Sequence, residues 1–266
     1  MKKPLAFSLL ELLATVGIIL FLAAVIYPFA ANCIGRAKAT AEVAGARRTI
    51  SAWMAYAGEN NNSVLPGYLM DPQARNRLGQ PVSFPANARY VFRLAPYLNY
   101  ELKGSLLVNK QKNISDDYHV SMAPSFGVNL TFVGGDFGGG SDMQPTDANL
   151  DRYGKFVVTR LSEIHSPTSL IVFGSARITD SAGRTEEGYN AIKSPRLHAN
   201  RWEENYQESR PYYAFGNVHP RFDGKAVCAM ADGHVELLSI DQLRDMRRWS
   251  NQAAQVDDPN WNMQSL

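Results

Sequence analysis

Cysteine is almost absent: Cys33 and Cys228 are the only two in 266 residues. That excludes a disulfide framework and a zinc site, which takes about four ligands at close spacing. Cys33 stands at the end of an apolar segment and Cys228 in an apolar run that reads as a core strand. A bridge between them would join a membrane boundary to a domain interior, so two free thiols are expected. An excess of one charge is lacking too, with 27 Lys and Arg against 25 Asp and Glu. So even a balance offers no basic field of the kind nucleic acid requires, and no nucleic-acid partner is expected. The nearest thing to a basic patch, Arg36, Lys38, Arg47 and Arg48, reads as a solvated helix face.

Motifs that carry catalysis are missing as well. There is no Walker A loop, no Rossmann glycine fingerprint, no His-Glu-x-x-His and no Gly-x-Ser-x-Gly. His119, His165, His198, His219 and His234 are scattered without ligand spacing, and each is expected on the surface or in a hairpin. The two Asp-Gly pairs, at 223–224 and 232–233, read as turns rather than as acid/base groups. No enzyme activity and no resident cofactor follow from these residues. One loop holds oxygen donors that calcium takes: the glycine-rich run 134–142, with Asp136 and Asp142, followed by Asp147 and Asp151. Its spacing is not that of an EF-hand, and such loops are commonly just exposed and mobile.

What the chain does have is a long stretch without charge. Residues 12–31, LLATVGIILFLAAVIYPFAA, carry none. At the helical rise about 20 residues span roughly 30 Å, the thickness of bilayer hydrocarbon. A cleaved secretory signal has a shorter apolar core and a small-x-small site. This stretch ends instead in Tyr27, Pro28, Phe29, Ala30, Ala31. Lipoprotein processing at Cys33 is disfavoured by Asn32, which sits where a small residue is wanted. An uncleaved membrane helix is the better reading. Glu11 opens this run, after Phe7, Leu9 and Leu10. A carboxylate entering a membrane costs about 2.5–3.5 kcal/mol on insertion scales, and such a residue normally has a partner. Two readings stand: Glu11 snorkels to the interface, or it meets an α-amino group freed by cleavage before Phe7.

The residues Ala6-Phe7-Ser8-Leu9-Leu10-Glu11-Leu12-Leu13 resemble the class III signal of type IV pilins and type II secretion pseudopilins. The preceding Met1-Lys2-Lys3-Pro4-Leu5 is short and basic, as that family's leader is. The resemblance implies a leader of residues 1–6, cleavage between Ala6 and Phe7 by a prepilin peptidase, and N-methylation of Phe7. It implies that Glu11 pairs with a neighbouring subunit's N-terminus during assembly, and that Pro28 bends the helix. Ala6 departs from the glycine usual before the cut, and alanine is its smallest substitute. Losing Lys2 and Lys3 with the leader leaves basic and acidic residues equal in number. Counting basic residues does not orient the helix, because Arg36, Lys38, Arg47 and Arg48 follow the apolar run. The inner-membrane, single-pass topology, with the domain in the periplasm or on an extracellular filament, is what the resemblance implies.

Beyond residue 31 the helical pattern continues. Val43, Ala46, Ile50, Trp53 and Ala57 recur at steps of three and four and make one apolar face. Arg36, Arg47, Arg48 and Glu59 occupy the rest. Asn60, Asn61, Asn62 and Ser63, with Pro66-Gly67 beyond, form a stop. The helix is therefore predicted over residues 7–59, its first half in the membrane and its second half packed on a β-rich domain of residues 60–266. Further on, a short helix is predicted around residues 89–98, broken by Pro96, and a buried strand over 168–173. Residues 225–239 read as a hairpin closed by Asp232-Gly233 in a type I′ turn. A short helix follows over 240–250, then a polar, loosely held tail. The fold class is α+β: a long N-terminal helix packed on an antiparallel sheet.

The hairpin residues Ala231-Asp232-Gly233-His234-Val235-Glu236 are also similar to the C-terminal motif of a large group of pilin-like proteins, as is Arg247-Arg248-Trp249. That group places a histidine ten positions before Asp-Gly; Phe222 stands there in this chain, and the nearest histidine is His219. Residues 65–160 carry no motif of the family. Together the resemblances imply a structural subunit of a pilus or pseudopilus. Its expected partners are copies of itself, other pilins or pseudopilins, the prepilin peptidase, the inner membrane and the assembly machinery. The rival reading is a monomeric membrane-anchored envelope binding protein or adhesin.

Overall fold

The structure, a computed structural model, describes residues 8–138, 143–179, 183–197 and 200–263. The chain divides into two compact units, Met1–Thr40 and Ala41–Leu266. Helix α1 (Leu9–Glu59) runs through both. This division falls within the helix, because from Glu42 onward one face of α1 is part of the domain core. The Asn-rich stop ends α1. Asn61 and Asn62 take left-handed backbone at φ 54° and 60°, and Asn62 N donates to Ala57 O at 2.8 Å. Asparagine adopts that conformation more readily than other side-chain-bearing residues.

In the domain, Tyr90–Leu94 forms α2 and continues as a 3₁₀ turn over Ala95–Leu98, where Pro96 can supply no further α-helical donor. Helix α3 (Asp117–Met122) precedes β1 (Phe126–Asn129), and α4 (Asp147–Tyr153) precedes β2 (Ile171–Ser175). Short strands follow: β3 (Arg177–Thr179), β4 (Thr185–Glu187), β5 (Ala191–Ile192), β6 (Arg196–Leu197) and β7 (Asn200–Arg201). The chain then makes β8 (Lys225–Met230), β9 (Val235–Ser239), α5 (Ile240–Leu243) and α6 (Asn251–Gln255). The principal sheet has the order β5-β1-β2-β8-β9. It is antiparallel except at one edge, where β5 pairs parallel to β1.

Both faces of this sheet are covered, which explains why β8 reads as an unbroken apolar run. Val227 and Ala229 enter one buried cluster with Ala46, Ile50 and Trp53 of α1. Ala226, Cys228 and Met230 enter a second cluster with Phe215, Leu243 and Trp249. Successive strand side chains point to opposite faces, so each face receives alternate residues. A register shift between Ile171 and Phe173 lets Val172 and Phe173 both reach the α1 side.

Three details depart from the sequence reading. The β8–β9 connection is not a type I′ turn: Met230 N donates to His234 O, Gly233 N donates to Met230 O, and of Asp232 and Gly233 only Gly233 has positive φ. The result is a three-residue loop whose last residue takes the left-handed position. The predicted helix over 240–250 is split into α5 and a 3₁₀ turn at Met246–Arg248. The tail is packed rather than loose. Ala253 is fully buried, Met263 nearly so, and Trp261 meets the Phe132 ring edge-on at 6.1 Å. Aromatic and sulfur side chains anchor a segment whose average polarity suggests exposure.

Candidate assembly helix and its seat in the domain

The first part of α1 is long and apolar enough to cross a membrane. Its described side chains from Ser8 to Lys38 are all exposed, including Leu9, Phe21, Phe29 and Ile34. The helix begins with a capping box. Glu11 N donates to Ser8 Oγ at 3.2 Å, and Ser8 N donates to Glu11 Oε2 at 2.9 Å. Two otherwise orphaned N–H groups are thereby satisfied. Glu11 thus has a local partner that the sequence reading did not consider, although Ser-x-x-Glu before an apolar run is a sequence signature of this cap. Ala6 and Phe7 lie outside the described residues. Pro28 lies within α1, where its missing N–H removes the bond to the Ala24 carbonyl.

The second part of α1 seats in the domain. Ala46, Ile50, Trp53 and Ala57 are all fully buried, as their spacing predicts. Val43 is only half-buried, and the fully buried residue beside it is Glu42. Glu42 lies one turn before Ala46 on the same face, so periodicity marks the position and only its charge argues against burial. Its carboxylate accepts from Arg221 Nη2 at 2.6 Å and from Arg221 Nε at 3.0 Å. Ser175 Oγ donates to Oε1 at 2.5 Å, and Asn109 Nδ2 donates to Oε2 at 3.1 Å. Four donors around one buried carboxylate are what such a charge needs to be tolerated. Burial pushes the carboxyl up from the ordinary glutamate value, against the pull of Arg221 and Ser175.

Arg221 is a hub. It also donates to Ala176 O at 3.1 Å and Ser125 O at 3.3 Å, and Nη1 lies 3.2 Å from His219 Nδ1. His219 must present its lone pair there, which makes it a neutral acceptor. Burial, then Arg221, Arg177 and Lys110, lower its pKa to about 3. His219 is therefore a buried network residue and not the surface residue expected. The sequence signal for it was its place two residues before a basic side chain in an otherwise apolar and turn-rich stretch, which is weak.

The remaining sequence candidates are dispersed. Phe222 packs against the cluster on the α1 side. His119 pairs with Asp116, and His165 is exposed; His198 lies outside the described residues. His234 bridges Asp232 at 2.6 Å and Glu236 at 2.7 Å on the hairpin. Those bonds outweigh the downward effect of its partial burial and raise its pKa. Cys33 is exposed and Cys228 buried, both free, and burial pushes the Cys228 thiol up to about 12. Arg36, Lys38, Arg47 and Arg48 are exposed. The glycine-rich run does not behave as one exposed loop. Gly134, Gly135 and Asp136 are buried, and Asp136 Oδ1 accepts from Gly138 N at 3.0 Å. Residues 139–142, with Asp142, lie outside the described residues, while Asp147 and Asp151 are on α4. Among the described residues no group of three or more His, Cys, Asp or Glu is placed to hold a metal ion.

Comparison of the chain with protein-family models, with curated proteins and with solved structures finds no match.

Proposed function

We propose that this chain is a structural subunit of a type IV pilus or type II secretion pseudopilus filament, anchored in the inner membrane and assembled through α1. The observation that carries the reading is the bare apolar surface of α1, from Leu9 to Ile34, headed by Glu11. So much contiguous apolar surface requires a non-aqueous surrounding. Lipid supplies it before assembly, and the helices of neighbouring subunits supply it afterwards. In this reading a prepilin peptidase cuts between Ala6 and Phe7, Phe7 is N-methylated, and Glu11 exchanges its bond to Ser8 N for the new amine of a neighbour. Pro28 removes one helical rung, which is where the helix bends. The domain then sits in the periplasm or on the filament's exterior, with no catalytic task.

The test is mass spectrometry of the native protein together with oxidative cross-linking at Cys33, the exposed thiol of α1. A chain beginning at methylated Phe7 that forms Cys33–Cys33 disulfide dimers supports the proposal. A chain retaining Met1 and remaining uncross-linked overturns it in favour of a monomeric anchored binding protein or adhesin.

A further inference from the structure

The seat of α1 has two chemically different ends. Nearest the domain boundary its buried residues are charged, polar or small, namely Glu42, Gly45, Ala46 and Thr49; Glu42 is held by Arg221, Ser175 and Asn109, and Arg48 Nη1 reaches Gly104 O at 3.5 Å. About two to four turns beyond Glu42 it is apolar, with Ile50 and Trp53 fully buried in the same cluster as Leu65, Tyr90 and Phe173, and Ala57 fully buried as well.

These ends respond oppositely to water. Opening the polar end rehydrates a carboxylate and a guanidinium, and the recovered solvation offsets most of the lost ion pairing. Opening the apolar end exposes the indole of Trp53 and the side chain of Ile50 with no solvation gained in return. Local openings in folded proteins follow such differences, and the least costly segment opens first. We propose that the Glu42–Arg221 network is a releasable latch and the Trp53 end a fixed pivot, so that the helix can lift from the sheet over residues 41–49 while it stays docked over residues 50–59. The latch gives a subunit compliance between its helix and its domain. It rests on packing within the domain and is independent of the filament reading, and its readout is separate from processing or cross-linking.

The experiment uses the full chain in lipid nanodiscs with Cys33→Ser, since Cys228 is buried with its thiol held protonated. Two matched reporters, Ala46→Cys and Ala57→Cys, start from fully buried positions at the two ends. Maleimide labelling at Ala46→Cys is expected to be about ten-fold faster than at Ala57→Cys. Replacing the ion pair by Glu42→Met with Arg221→Met is expected to slow the first reporter about ten-fold and leave the second unchanged. Equal rates at the two ends, or a rate at Ala46→Cys indifferent to the methionine pair, overturns the proposal. Glu42→Gln provides an independent reading if the methionine pair fails to fold. Faster labelling at Ala46→Cys alone supports the latch, whereas no change, or equal acceleration at both ends, overturns it.

Discussion

Glu42 and Arg221 meet across 179 residues of chain, through two bonds, at the point where α1 enters the domain. The pair joins the helix to the strand ends, because Arg221 also holds the carbonyls of Ser125 and Ala176. Removing one partner leaves the other buried and uncompensated. Glu42→Ala or Arg221→Ala is therefore expected to cost roughly 3–5 kcal/mol, while the paired methionine replacement stays within about 1 kcal/mol of the parent or exceeds it. Chemical denaturation of the detergent-solubilised chain measures both. Equal losses for single and double variants would contradict this account of the network.

Trp53 is the largest fully buried side chain that α1 contributes. Trp53→Ala should destabilise the domain by roughly 3–5 kcal/mol through loss of apolar contact and the cavity left behind. Its indole N–H has no hydrogen-bond partner among the described residues, so Trp53→Phe should cost distinctly less. The same denaturation series decides between these outcomes.

The two histidines flanking β8 should give opposite pH signatures. His219 is neutral in the folded chain down to about pH 3, whereas an unfolded histidine takes its proton near 6.5. The unfolded state then binds more protons between those values, so stability is complete above about 6.5 and falls by up to about 1.4 kcal/mol per pH unit toward 3. For His234 the folded value is raised, so its contribution is present below the unfolded value and disappears as pH rises through the folded one. Histidine ring resonances followed by NMR should show His234 titrating above the ordinary histidine value and His219 not titrating between pH 5 and 8. His219→Gln should remove the acid-side loss.

Glu11 can act as a cap and as a charge, and two substitutions separate the roles. Glutamine serves in a capping box as glutamate does, but carries no charge. On the filament reading, Glu11→Gln should reduce Cys33 cross-linking as strongly as Glu11→Ala. Normal cross-linking in the glutamine variant would reduce Glu11 to a cap.

Gly134 is fixed by geometry. Its φ is +77°, and a Cβ there would lie 2.1 Å from the Leu65 carbonyl oxygen. Gly134→Ala is expected to destabilise the domain by more than about 1 kcal/mol, measurable by thermal unfolding with or without calcium.

The long helix, its Asn-rich stop and the 225–239 hairpin were legible in the sequence, and so in part was the strand predicted over 168–173, which forms at Ile171–Ser175, because each depends on local periodicity or on residues with special backbone preferences. The face made by Ala46, Ile50, Trp53 and Ala57 was legible for the same reason. Ala6, Phe7 and Glu11 were readable as a linear signal, and that remains the whole basis for assigning them processing and assembly roles. What only the tertiary structure decided was the company of charged residues. Whether Glu42 faces water or Arg221 depends on how the chain brings residues 109, 175 and 221 to one point, and no local pattern encodes that meeting. The packed tail belongs to the same class: Met263 is buried and Trp261 partly buried because a second core exists on the far face of the sheet. Periodicity is a property of neighbours in sequence, whereas the burial of a charge is a property of the partners that folding gathers around it.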